Sequence, residues 1–213
     1  MSSQLTRTVT IPAERLQPWL ANFSARHGSI ETSARYDRVT VEAADGAVAR
    51  IRIPFPPLPA SHDLVPTLIT HVNQPRTLGA VLVRKGGFAV GVFRGAELVA
   101  SKVGSAYVQG KTKAGGWSQQ RYARRRANQS KNAYAEAADE TVRILLPYLG
   151  DLEGVLTGGD KPALAAVFDD PRLVELKTLV LPTVYAVPDP RLRVLQAFPE
   201  LFRTVDIILN ELA

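Results

Sequence analysis

The 213-residue sequence contains no cysteine, one methionine and three histidines. The missing cysteine excludes disulfide bonds, thiolate catalysis and cysteine-ligated zinc. His27, His62 and His71 all lie in the first third of the chain without metal-ligand spacing, so we interpret them as surface or packing residues. The remaining two thirds lack the histidine that nucleophilic triads use as a base.

Long apolar segments are also missing. No run is long enough to cross a membrane, and the start of the chain has no apolar core of signal-peptide length. We therefore expect a soluble, cytoplasmic protein without a membrane partner. The Gly-x-Ser-x-Gly, phosphate-loop and dinucleotide fingerprints are absent as well, so no cofactor is expected.

Basic residues are in excess. Lys and Arg number 26 against 20 Asp and Glu, which gives a formal net charge of +6. A basic balance favours an anionic partner such as nucleic acid. Hydrophobic residues make up 46% of the sequence, which is enough for a buried core in one or two domains.

Residues 1–72 show the pattern of a small α+β unit. A short strand, RTVTI, precedes a helix that begins near Pro12 and ends at Gly28. Alternating apolar and polar residues on both sides of Asp45-Gly46 predict a hairpin. The segment SHDLVPTLITHV predicts a short, broken helix. We assign packing or docking, and no chemistry, to this unit.

Residues 73–213 show a different succession of elements. Three strands form a meander with glycine-containing turns, and a long helix follows from about Ser118 to Leu149. Strands and helices then alternate, and the last stretch, PRLRVLQAFPELFRTVDIILNELA, is expected to form one or two helices. This succession predicts an α+β or α/β fold with an RNase H-like mixed sheet.

A metal-dependent nuclease is one function that such a sheet often hosts. Two-metal hydrolysis needs carboxylates clustered on the central strands, but the first strand has none and Glu97 is the only acid of the meander. Asp160, Asp169 and Asp170 lie in later turns, and we interpret them as loop or helix-end acids. The nuclease therefore stays a third, disfavoured hypothesis.

The most unusual stretch covers residues 110–132, GKTKAGGWSQQRYARRRANQSKN, which contains no carboxylate. Its glycines permit a close approach to a partner, and its cations can bind phosphates. A solvated basic helix after a hairpin loop would give the same charge run, and Arg126 could instead form an ion pair inside the fold. The candidate RNA-binding cations are Lys111, Lys113, Arg121, Arg124, Arg125, Arg126 and Lys131.

Within this stretch, GGWSQQRYARRR at residues 115–126 resembles the catalytic loop and following helix of archaeal and eukaryotic class-1 peptide release factors. Their pattern is Gly-Gly-Gln-Ser, two or three residues, Arg-Phe-Ala-Arg and a further Arg. Trp117 stands in place of their catalytic glutamine. A displaced glutamine is typical of the Vms-like release factor (VLRF) clade, whose actinobacterial branch the chain resembles. The residues that match or nearly match are Gly115, Gly116, Ser118, Arg121, Tyr122, Ala123, Arg124 and Arg126.

The resemblance implies a peptidyl-tRNA hydrolase that acts on stalled or split ribosomes, in rescue or quality control. Its partners would be the large ribosomal subunit, peptidyl-tRNA and rRNA phosphates, and a loop glutamine would coordinate the attacking water. We assign this role first to Gln119, with Gln120 as the competing choice. Trp117 would either stack on a base or fold onto the helix. The main alternative is a non-catalytic RNA- or ribosome-binding factor that kept the fold and lost the chemistry.

Overall fold

A computed structural model of the protein describes residues 5–105 and 117–213, with side chains from 7 to 105 and from 131 to 213. The chain divides into two compact units. One contains the residues up to Gln74 together with Pro199–Ala213, and the other contains Pro75–Phe198. Each unit has its own five-stranded sheet and its own hydrophobic core.

The first unit is built on an antiparallel sheet with the strand order β1-β10-β4-β3-β2. Its strands are β1 (Leu5–Pro12), β2 (Ile30–Arg35), β3 (Arg38–Ala43), β4 (Val48–Arg52) and β10 (Thr204–Asn210). Its helices are α1 (Leu16–His27), α2 (Leu64–Asn73) and α7 (Pro199–Phe202).

Alternation along the strands gives this sheet one apolar and one polar face. Val39 and Val41 of β3, Ile51 of β4 and Ile207 of β10 are fully buried, and they form one core with Leu16 of α1. The residues between them in β3 are exposed or half-buried. Helix α1 therefore covers the apolar face of the sheet.

The local predictions for this unit are largely confirmed. The expected first strand lies within β1, and Gly28 follows α1 with a φ of 92°. Gly46, with a φ of 89°, lies in the predicted turn between β3 and β4. The prediction of a broken helix in SHDLVPTLITHV is wrong, because α2 is continuous from Leu64 to Asn73. Pro66 lies in its first turn, where the missing N–H has no helical partner to lose.

The second unit is built on a mixed sheet with the strand order β7-β6-β5-β8-β9. Its strands are β5 (Thr77–Arg84), β6 (Gly87–Arg94), β7 (Glu97–Ser105), β8 (Gly154–Gly159) and β9 (Val180–Tyr185). Its helices are α3 (Trp117–Leu145), α4 (Lys161–Phe168), α5 (Val174–Thr178) and α6 (Leu192–Gln196). The first three strands are antiparallel, whereas β8 runs parallel to β5, and β9 parallel to β8. The predicted meander, long helix and mixed sheet are confirmed.

The long helix α3 begins one residue before the predicted start and ends at Leu145. A 3-10 turn, Leu146–Tyr148, completes the predicted length. Pro147 explains the change, because it lacks a backbone N–H and disfavours helical geometry in the residue before it. Neither α3 nor any other helix in the described ranges has the length and apolar character needed to cross a membrane.

The prediction of helices up to the C-terminus is wrong for the last element. TVDIILN forms β10, which lies between β1 and β4 in the first sheet. Thr10 Oγ1 donates a hydrogen bond to Asp206 Oδ1 at 2.7 Å, although 196 residues separate them in the chain. The expected second domain, residues 73–213, included this strand, whereas the observed division places residues 199–213 with the first unit.

Asn210 joins β10 to the hairpin of β3 and β4. Its buried side chain accepts a hydrogen bond from the Val48 N–H and donates one to the Gly46 carbonyl, both at 2.9 Å.

We expect Asn210→Ala to lower the free energy of unfolding by about 2 kcal/mol, because both backbone groups lose their partner. Urea denaturation measures the change. The control, Asn22→Ala on exposed α1 surface, should stay within about 0.5 kcal/mol of the wild type; equal losses in the two variants would contradict the role of Asn210.

Candidate functional site

The predicted catalytic segment follows β7 in the chain and includes the first turn of α3. Trp117 is the first residue of α3, so the competing glutamines belong to the helix rather than to the loop before it. The backbone of the first turn is formed by Trp117, Ser118, Gln119 and Gln120. Four predicted residues lie outside the described part of the chain: Lys111, Lys113, Gly115 and Gly116.

The predicted cations of the helix follow directly. Arg121, Arg124, Arg125 and Arg126 lie on the second and third turns of α3. Lys131 comes one turn later, and its side chain is exposed. The helix thus places the glutamines and the cations on one continuous element.

The second half of α3 fixes this element to the sheet. Ala137, Thr141 and Leu145 follow each other at intervals of four residues and are fully buried. Thr141 Oγ1 donates a hydrogen bond to the Ala137 carbonyl at 2.6 Å. Leu145 packs over Gly79 of β5, where a Cβ would lie 3.2 Å from Leu145 Cδ1. Because Gly79 has no side chain, the helix can pack close to the central strand.

The candidate site is far along the helix from this anchor. Trp117 precedes Ala137 by 20 residues, which corresponds to about 30 Å of helix axis at 1.5 Å per residue. The helix can therefore carry its N-terminal residues to a partner while its C-terminal half stays packed in the core.

Charge is strongly segregated around this part of α3. No acidic residue occurs between Glu97 and Glu136, and this interval contains eight Lys and Arg residues. Removing these eight from the 26 in the chain leaves 18 basic residues against 20 acidic ones. The positive end of the helix dipole adds to the same field. The net positive charge of the protein is thus a property of this one segment.

The acids weighed as metal ligands have structural roles at helix ends. Asp160 directly precedes α4, and its Oδ2 accepts a hydrogen bond from the Lys85 N–H at 3.3 Å. Asp169 and Asp170 directly follow α4. Within the described residues, no three His, Asp or Glu side chains form a group that could hold a metal ion.

Two of the histidines serve local packing in the first unit. His27 Nδ1 lies 2.7 Å from Asp45 Oδ2 at the hairpin turn. Hydrogen bonds from the Ala47 N–H and from His27 lower the pKa of Asp45. His71 Nε2 lies 2.9 Å from the carbonyl oxygen of Pro54. His62 is exposed.

A close contact fixes the end of β7, from which the chain continues towards the candidate site. Gly104 of β7 lies against the ring of Phe88, and a Cβ at this position would overlap the ring atoms. Phe88 is buried, so moving its ring disturbs the packing around it. Neither Gly104 nor Gly79 was predicted as a packing position, although a glycine inside a strand is itself a sign of close approach.

We expect Gly104→Ala to lower the free energy of unfolding by about 1–3 kcal/mol, because the added methyl group must displace the Phe88 ring. Denaturant unfolding checks this value. Gly150→Ala is the matched control, since a Cβ at Gly150 would meet nothing within 4 Å. If Gly104→Ala were as stable as Gly150→Ala, the packing account of this strand end would be wrong.

An ion-pair network holds α3 to the segment after α4. Arg172 Nη2 lies 2.6 Å from Asp139 Oδ1 of α3 and 2.6 Å from Asp170 Oδ2, and its Nε donates to Asp170 Oδ1 at 2.9 Å. Hydrogen bonds from the Arg172 side chain, and secondly from the Arg172 N–H, lower the pKa of Asp170 from 3.8 to about 2. Hydrogen bonds to Asp170 and Asp139 raise the pKa of Arg172.

Because the pKa of Asp170 is lower in the folded state, the network stabilises the fold above pH 3.8, and this stabilisation is lost as the pH falls towards 2. Arg172→Gln should raise the pKa of Asp170 towards its ordinary value, as measured by carboxyl-carbon NMR titration. Arg143→Gln, which removes the pair with Glu140 on α3, is the control and should leave Asp170 unchanged. Titration of Asp170 near 2 in the Arg172 variant would contradict the assignment.

Comparison with known families gives a match over the second unit and into β10. The family model described as "Actinobacteria/chloroflexi VLRF1 release factor" matches residues 76–208, which is more than half of the chain. Residues 1–75 lie outside the match. All the predicted site residues lie inside it.

Two archaeal proteins show similarity over a shorter range. Peptide chain release factor subunit 1 of Pyrococcus abyssi (strain GE5 / Orsay) and that of Thermococcus onnurineus (strain NA1) are each 33% identical to this chain over 86 residues. The similarity covers 39% of this chain and 21% of each archaeal protein. The chain thus spans about a fifth of the length of these relatives.

Among solved structures, the archaeal translation termination factor aRF1 is similar with a TM-score of 0.44 and 14% identity, over 95% of this chain and 67% of that one. S. cerevisiae Dom34, a translation termination-like factor that interacts with Hbs1, is similar with a TM-score of 0.38 and 8% identity, over 88% of this chain and 63% of that one. The family match, which includes the motif at residues 115–126, confirms the resemblance found in the sequence. The chain belongs to the Actinobacteria/chloroflexi VLRF1 release factor family.

Proposed function

We propose that this protein is a peptidyl-tRNA hydrolase that releases nascent peptides from stalled or split ribosomes. Gln119, or Gln120 in the alternative register, positions the water that attacks the ester between peptide and tRNA. The observation that carries the proposal is the position of both glutamines in the first turn of α3, in a chain of a release-factor family. From Trp117 to Ala135 this helix contains five cations and no acid. Since ribosomes and peptidyl-tRNA occupy the cytoplasm, the protein acts there.

Charge supports the large ribosomal subunit as the partner. The segment between Glu97 and Glu136 holds eight cations and no acid, which suits a surface made of rRNA and tRNA phosphates. The rest of the chain is slightly acidic, so the net positive charge comes from this segment. The partner therefore meets the first turns of α3, where the glutamines lie.

An amide is sufficient for this chemistry. The water oxygen adds to the ester carbonyl, the 3′ oxygen of the terminal adenosine leaves with a proton, and the products are a free peptide and tRNA. The glutamine carboxamide can accept a hydrogen bond from the water and donate one to the developing oxyanion, and it does not titrate. Precise placement by a large partner supplies the remaining rate enhancement.

A second candidate is a non-catalytic ribosome-binding factor. Trp117 motivates it, because this residue occupies the position of the catalytic glutamine in class-1 release factors. Such a factor would bind the large subunit through the same cations and leave peptidyl-tRNA intact. The two candidates differ in a single measurable property, which is turnover.

The experiment measures peptide release from purified large subunits that carry peptidyl-tRNA. We expect the wild type to release peptide and either Gln119→Ala or Gln120→Ala to lower the rate by about 10²- to 10³-fold, the usual cost of removing one oxyanion donor. Gln129→Ala is the matched control, because it changes the same side chain on the same helix. Cosedimentation with the subunits should show unchanged binding for all the variants.

Each outcome assigns a function. Loss of release in one glutamine variant, with normal binding, identifies the catalytic residue. Normal release in both variants would overturn the glutamine mechanism. If the wild type binds the subunit and releases nothing, the binding factor is the correct function and Trp117 explains the loss of activity.

A further inference from the structure

The open face of the first sheet carries a cluster of arginines that the proposed function does not use. Arg35 of β2 is paired with Arg38 of β3, and Arg38 is paired with Arg52 of β4. Residues paired across antiparallel strands project from the same face, with Cβ atoms about 5 Å apart. Arg50 lies two residues before Arg52 and therefore on the same face. The four guanidinium groups lie on three adjacent strands.

This row of four arginines lowers the stability of the fold unless anions offset its charge, because like charges directly opposite each other in a sheet are destabilising. Two carboxylates provide partial compensation. Arg38 Nε lies 2.9 Å from Asp37 Oδ1, and Arg52 Nη1 lies 3.6 Å from Asp206 Oδ2. Among the residues that the structure describes, Arg35 and Arg50 form no ion pair. Within the row of four arginines and its two paired carboxylates, an excess of two positive charges therefore remains.

Two further carboxylates, Glu31 and Glu42, face each other at the opposite end of the β2–β3 pair. Each lies four residues along its strand from Arg35 or Arg38, or about 13 Å at 3.3 Å per residue, which exceeds the screening length of about 8 Å at physiological salt. Glu42 is a diagonal neighbour of Arg50 across β3 and β4, so it offsets part of the charge of Arg50. Positive charge is thus concentrated on Arg35, Arg38 and Arg52, at the end of the sheet where β2 turns into β3.

An exposed aromatic ring lies at that same end. Tyr36 occupies the two-residue turn between Arg35 and Arg38, and 71% of its surface is exposed. Single-stranded nucleic acid is recognised by just this combination of cations for the backbone and aromatic rings on which unpaired bases stack. Helix α1 covers the other face of the sheet, and Arg35, Arg38 and Arg52 are exposed.

We propose that this arginine face, consisting of Arg35, Tyr36, Arg38, Arg50 and Arg52, binds single-stranded RNA. The arginines contact successive phosphates, and Tyr36 stacks on an unpaired base. The surface lies in residues 1–75, outside the family match, and does not depend on the glutamine chemistry of α3. It gives the protein a second RNA contact, on the unit that was predicted to serve packing or docking.

The test measures binding of the full chain to a fluorescein-labelled 20-nucleotide oligouridylate by anisotropy over a range of salt concentrations. The variant Arg35→Gln/Arg50→Gln removes the two unpaired cations. We expect it to bind about tenfold more weakly and to lower the slope of log K against log salt by about 1.4, since each contact with single-stranded RNA contributes about 0.7. Its thermal midpoint should not fall, because the substitution relieves repulsion.

The matched control is Arg15→Gln/Arg26→Gln, which removes two exposed arginines on or next to α1, on the covered side of the same unit. It should change the affinity less than about twofold and leave the salt slope unchanged. Equal losses in the two double variants would overturn the proposal, because the effect would then reflect overall charge. Wild-type affinity of Arg35→Gln/Arg50→Gln for oligouridylate would also overturn the proposal. If that variant then bound poly(glutamate) more weakly than the wild type does, the partner of this face would be an acidic protein.

Tyr36 provides an independent measurement. Tyr36→Ala should weaken oligouridylate binding by about fivefold or more without changing the salt slope, whereas Tyr36→Phe should bind like the wild type. Equal binding by the Ala and Phe variants would exclude stacking. Gln119→Ala should retain full RNA affinity, so a failure of the hydrolase proposal and a failure of this one are distinguishable.

Discussion

The packing of one long helix against the central strands of a mixed sheet is the interaction on which the site depends. Gly79 lets Leu145 approach β5, and small residues such as Ala137 keep the helix close to the sheet. The N-terminal turns of α3 are a poor helix by themselves, because like charges at Arg121, Arg124 and Arg125 repel at i,i+3 and i,i+4 spacing. The packed half of the helix provides the nucleus that the charged half extends.

Local signals made the sheet of the second unit predictable. Its three antiparallel strands alternate with turns that contain glycine, and each strand pairs with its neighbour in sequence. The same holds for the hairpin around Gly46. The last strand was not predictable in this way. Its apolar run is compatible with a helix or a strand, and its partners in β1 and β4 lie far away in sequence, so no local pattern indicates the pairing.

The sequence was sufficient to predict the helix that carries the candidate site, but not which of its two glutamines is the catalytic one. The glycine pair and the basic run located the start of α3 to within one residue. The sequence does not decide between Gln119 and Gln120. Neighbouring residues of a helix point in directions about 100° apart, so only one of the two can point at a given atom of a partner. Because Trp117 occupies the position of the glutamine in the motif, the motif does not tell which of the following glutamines takes its role. The contacts that hold the helix, such as Asp139 with Arg172, join distant segments and leave no motif.

In the proposed mechanism, a catalytic group that does not titrate would allow RNA binding and chemistry to share one segment. A histidine or carboxylate base among eight cations would have its pKa lowered by the positive field, and it would become a weaker base where phosphate binding is strongest. An amide keeps its donors and its acceptor in any field. A glutamine at the start of a strongly basic helix therefore keeps its hydrogen-bonding capacity, and the cations proposed to bind RNA would leave the proposed chemistry intact.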